Sequence, residues 1–217
     1  MLRIATPLTL LLLAAPALAA PAPAAPAAAD QFPSLLGGES LHGSSTAQAT
    51  AGYATLSAAY GQGLTPQDDL GAMAEFNWST TELVVGGFWR RQLGRPGGWD
   101  LGLRLGLGWY ADAGSTMVYD DNLSDRGLQL TPGLALSSRG VGLLSLAFDF
   151  PVTVTTWRGG GVWVAPRVSA GYEAALYDQL ALGVRGSLAW RGGSGGAPMR
   201  SGQILPELLV TATWKLF

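Results

Sequence analysis

The chain has 217 residues, of which 48% are hydrophobic and only 13% charged, with 31 glycines and a formal charge of −2. It contains no cysteine, which excludes disulfide frameworks, thiol catalysis and thiolate metal sites. The near-neutral charge leaves no basic footprint for nucleic acid.

Met1 to Ala20 reads as a cleaved secretory signal: Arg3 gives a positive start, Leu8 to Leu13 an apolar run, and Ala17-Leu18-Ala19 a small-x-small cleavage site. The run is too short to span a bilayer. Residues 21–37 are expected to be a Pro/Ala-rich linker, because repeated proline stops both helix and ladder formation. Residues 38–217 then form one domain by length. After the signal no run of about 18 apolar residues occurs, so helical spans are not expected.

The rest of the chain alternates with period two, the signature of strands. Weak strands are expected at 38–48 and at 50–60 (TAGYATLSAAY), where small residues blur the register. Leu70, Ala72, Ala74, Phe76 and Trp78 then alternate with Gly71, Met73, Glu75 and Asn77, and a blurred strand follows at 82–91. In WDLGLRLGLGWY, residues 99–110, Trp99, four leucines and Trp109 alternate with Asp100, Gly102, Arg104, Gly106, Gly108 and Tyr110. Strands built the same way follow near 128–137, 144–152 and 162–173. Two more are expected near 180–190 and 207–216. Most run about 9 to 12 residues, long for soluble strands and enough for a tilted strand to cross hydrocarbon.

The connections near 138–141 and 176–179 are tight, whereas those near 110–126, 153–161 and 191–203 are long and polar. Short turns on one side and long loops on the other suit an outer-membrane barrel. With both ends on the short-turn side the strand number is even. The expected fold is therefore an all-β, closed antiparallel up-and-down transmembrane barrel of ten strands, with eight as the alternative.

Each face has its own chemistry. Leucine and valine fill the middle of the outward set, and Trp78, Trp89, Trp99, Trp109, Tyr172, Trp190 and Trp214 stand at strand ends. Amphipathic rings sit well at headgroup level, so these residues form an expected aromatic girdle. A soluble β-sandwich would instead put aromatics at the strand centres. Inward positions carry glycine together with Glu75, Arg104, Asp149, Arg167 and Arg185, which are expected to pair as one interior charge cluster. Glu39 lies outside the clear strands and is expected to be dispensable. His42 is the single histidine and is expected at the rim, while Asp120, Asp121 and Asp125 form an acidic loop.

The signal, the alternating strands, the girdles and the final WKLF ending in Phe217 together resemble small bacterial outer-membrane β-barrel proteins over residues 38–217. The resemblance implies that the C-terminal strand is read by the barrel-assembly machinery. Counting back from Phe217, the alternate residues are Lys215, Thr213, Thr211 and Leu209, and the apolar ones are Leu216, Trp214, Ala212 and Val210. The expected protein is a monomer in the bacterial outer membrane with a filled, narrow interior and a structural or ligand- or surface-interaction role. A narrow pore for small solutes is the alternative. A lipid-modifying barrel enzyme or a soluble secreted sandwich ranks lower. No enzymatic activity, cofactor, metal or nucleic-acid partner is expected.

Overall fold

The computed structural model describes residues 32–113, 125–156, 160–195 and 202–217. Its strands are β1 Ser45–Gly52, β2 Thr55–Gly63, β3 Asp68–Asn77, β4 Glu82–Gly94, β5 Asp100–Asp112 and β6 Asp125–Arg139. They continue as β7 Leu143–Asp149, β8 Val152–Thr155, β9 Gly161–Val164, β10 Arg167–Tyr177, β11 Leu180–Gly195 and β12 Gln203–Lys215.

Two of the breaks come from proline, which has no N–H to give to a ladder. β7 and β8 are interrupted at Phe150-Pro151 but keep one register on β6, with Gly133 opposite Asp149 and Leu130 opposite Val152. β9 and β10 are interrupted at Ala165-Pro166 and keep one register on β11. The segments therefore make ten strands, each antiparallel to its neighbour in sequence. β1 pairs with β12, from Thr46 opposite Lys215 to Gly52 opposite Leu209, and this closes the sheet into a barrel without an edge.

The chain enters β1 and leaves β12 at one end, called proximal here. The strand ends that flank the long connections, Asp112 and Asp125, Thr155 and Gly161, and Gly195 and Gln203, all lie at the distal end. Leu56, Leu70, Val85, Leu107, Leu130, Phe148, Val168, Val184 and Val210 point outward and are exposed, so an apolar band runs from β2 to β12. Alternate residues point into the lumen.

The strand number is as expected, but the first two strands are displaced. The stretch 50–60 contains the turn between β1 and β2, where Ala54 takes φ 71°. Residues 38–44 are not a strand. His42 at φ 48° and Gly43 at φ 86° turn the chain sharply, with Ser44 N donating to Leu41 O at 2.9 Å, and β1 begins only at Ser45. Ahead of that turn, Phe32–Leu41 crosses the bore at the proximal end. Residues 33 to 41 of this segment are all buried, including Ser34 to Gly37 of the stretch expected as linker.

Candidate functional site

The lumen holds the chemistry. Arg104, Gly133, Asp149 and Arg167 are direct register partners across β5, β6, β7 and β10. Gly133 leaves the gap that lets Arg104 reach Asp149, because a Cβ there would collide with the Asp149 carboxylate. Asp149 is 3.8 Å from Arg104, 3.9 Å from Arg167 and 3.8 Å from Arg185. Arg167 also lies 3.5 Å from Glu75 and 3.9 Å from Glu207. All five residues of the expected cluster thus meet in one belt.

Glu207 is a sixth member. It accepts from Thr55 Oγ1 and Ser187 Oγ at 2.6 Å each, and its inward position was already visible in the alternation of the last strand. The pairing is loose. Most of the contacts are too long for hydrogen bonds, and Arg185 donates to Ser169 Oγ at 2.9 Å rather than to a carboxylate.

Two further clusters flank the belt. Distally, Glu82 accepts from Tyr110 Oη at 2.8 Å and pairs with Arg191 at 2.6 Å. Proximally, Arg90 and Asp69 are cross-strand partners on β4 and β3, paired at 2.7 Å with both side chains buried. This pair grips the crossing segment. Arg90 Nη1 donates to Ser34 O at 3.1 Å and lies 3.5 Å from Gly37 O, while Asp69 Oδ1 accepts from Leu41 N at 2.9 Å. Ser34 Oγ donates to Glu173, Gly38 N donates to Ser137 Oγ at 3.0 Å, and Arg139 holds Glu39 through two hydrogen bonds.

Glu39 is therefore a buried anchor, against the expectation from its place outside the clear strands that it is dispensable. Burial pushes its carboxyl above the ordinary 4.5, outweighing the hydrogen bonds and charge of Arg139, with Asp100 adding to the rise. Because the neutral acid is the better-accommodated form, the segment should be held most firmly below about 4.5. Its hold should weaken as pH rises through the elevated folded value. Amide exchange at Gly38 and Leu41, corrected for intrinsic rates, should show that slope, and Glu39→Gln should flatten it. Protection that increases with pH in the parent would contradict the assignment.

The seven aromatic residues expected to form a girdle separate into two tiers. Trp78, Trp109 and Trp190 lie toward the distal end, and Trp78 stacks edge-on against Tyr53 at 5.9 Å. Trp89, Trp99, Tyr172 and Trp214 lie toward the proximal end, with Trp89 Nε1 donating to Asp68 at 3.2 Å. Tyr53 is 65% exposed and joins the distal tier. His42 is exposed at the proximal turn, its Nδ1 3.2 Å from Ser40 Oγ. Asp120 and Asp121 lie outside the described residues, while Asp125 lines the cavity near the distal rim.

A cavity of about 220 Å³ occupies the lumen. Leu35 and Leu36 of the crossing segment form its floor, the belt its middle, and Asp112, Asp125, Gly160 and Arg191 its distal part. No protein-family model matches the chain, and no curated protein matches it.

Proposed function

We propose that this chain is an integral, monomeric β-barrel of the bacterial outer membrane, exported by its N-terminal signal and assembled through its C-terminal strand. Its filled interior suits a structural or ligand- and surface-interaction role better than wide-pore transport. The observation that carries this proposal is the band of exposed Leu, Val and Phe around a closed sheet whose lumen is polar, bounded by two tiers of aromatic rings. Soluble monomers rarely expose contiguous apolar patches beyond a few hundred Å². A bilayer supplies the medium that such a surface needs.

The direct test is fractionation. The mature chain should sediment with outer membrane, resist carbonate extraction and migrate faster on gels when unheated. Recovery in the soluble periplasm would refute the proposal. A sharper check is Leu107→Arg near the middle of β5, where the parent side chain is 57% exposed. On a water-facing strand this change would be nearly neutral. In hydrocarbon it should cost about 2–4 kcal/mol, read as a lower denaturant midpoint for folding into lipid vesicles. An unchanged midpoint would place β5 in water.

A further inference from the structure

We propose that Phe32–Leu41 is a displaceable plug, and that the bore it closes is a passage for small hydrophilic solutes. The inference rests on the outer-membrane placement above. The lumenal cavity runs without interruption from Leu35 and Leu36 past the belt to Asp112 and Arg191 near the distal rim. Among the described residues, the crossing segment is therefore what separates this cavity from the proximal end.

The seat is built on both sides. Gly38 approaches so closely that a Cβ there would collide with the backbone carbonyls of Asp100 and Ala135. A Cβ on Gly102 would fall 2.6 Å from Gly38 O, and one on Gly61 would fall 2.6 Å from Leu35 and 3.1 Å from Leu41. Wall and segment have each given up side chains where they meet. A chance insertion would not be matched in this way.

The segment can also leave without dismantling the wall. It contributes no strand to the ring, and β1–β12 closure starts at Thr46, beyond the His42-Gly43 turn on which it would pivot. Water can replace its polar anchors, and the apolar part of the hold is confined to Leu35, Leu36 and Leu41. Among the described residues, Arg90 Nε and Glu173 Oε1 remain buried beside it with no hydrogen-bond partner. Unsatisfied groups of this kind weaken the docked state.

The belt defines what could pass. It sets three guanidinium groups against three carboxylates, so hydrogen-bond donors and acceptors face the bore in balance. A ten-stranded bore narrowed by inward side chains leaves room only for small solutes, and the balanced charge gives little preference for cation over anion.

The test uses planar-bilayer conductance of the full mature chain. Because the chain has no cysteine, Glu39→Cys with Arg139→Cys introduces a single pair of thiols, one on the segment and one on the wall, which a short bis-thiosulfonate reagent closes into an oxidised bridge and a reductant reopens. Oxidised, this variant should be silent; reduced, it should show intermittent openings. Gly38→Val, which cannot seat, should conduct continuously, at about ten times the parent's time-averaged current or more, since a minor open state is typically populated to about 10% at most. The heat-modifiable shift of each variant reports whether the barrel itself has folded. A folded Gly38→Val that carries no current would overturn the passage, and equal current from the oxidised and reduced pair would overturn displacement. A parent recovered in the soluble periplasm would overturn the membrane placement and the passage with it.

Discussion

Asp149→Ala should unfold at clearly lower denaturant than the parent, with a loss of about 3 kcal/mol, at the low end of the range for breaking a buried ion pair. Its side chain is 5% exposed and is the one carboxylate within 4 Å of Arg104, Arg167 and Arg185 together. Removing it leaves Arg104 and Arg185 with no carboxylate within that distance among the described residues. Glu75→Ala should cost less, because Glu75 is 37% exposed and its one ion pair among the described residues is with Arg167, which keeps Asp149 and Glu207. The appropriate neutral control is Asp178→Ala, exposed in the proximal turn between β10 and β11. Urea titration of protein folded into lipid vesicles checks the ranking. Equal midpoints for Asp149→Ala and the parent would show that the belt contributes nothing to stability.

The belt was legible in the sequence for a physical reason. In β5, β6, β10 and β11 the two faces meet different surroundings, so apolar and polar residues separate cleanly. Knowing that Leu103 and Leu105 face outward leaves Arg104 only the lumen. The same logic weakens in β1, STAQATAG, where alanine, serine, threonine and glycine fill both faces and no contrast marks the register. The turn at Tyr53-Ala54 was hidden for that reason. It became visible only through pairing, since β1 must meet both β2 and β12.

The crossing segment could not be read at all. FPSLLGGESL has neither period two nor period 3.6, because its side chains meet the proximal wall of the barrel on all sides. Composition placed it beside the proline-alanine stretch, and its burial depends on residues such as Ser137 and Glu173, about a hundred positions or more away in the chain. Asp69 and Arg90 were missed for a related reason: Asp69 lies just ahead of the alternating run that begins at Leu70, and Arg90 at the end of the blurred strand 82–91. Parity does carry a signal, since Asp69 precedes outward Leu70 and Arg90 follows Trp89.

That overlooked pair should be the most sensitive to truncation. Asp69 is fully buried, Arg90 is 4% exposed, and they meet at 2.7 Å, a charge-assisted hydrogen bond unlike the looser contacts of the belt. Asp69→Ala removes both the partner of Arg90 and the acceptor of Leu41 N, so a buried guanidinium and a buried amide are orphaned together. Such a loss typically costs about 3–5 kcal/mol, and the upper part of that range is expected here. Asp69→Asn keeps an oxygen for Leu41 but no charge for Arg90, and should fall between the parent and the alanine variant. Arg90→Ala should be similarly damaging, since Ser34 O loses its donor. In a double-mutant cycle the two alanine changes should be strongly non-additive, the second costing much less than the first. Additive losses would mean that Asp69 and Arg90 act separately. Parent-like stability in both single variants would mean that the grip on the crossing segment lies elsewhere.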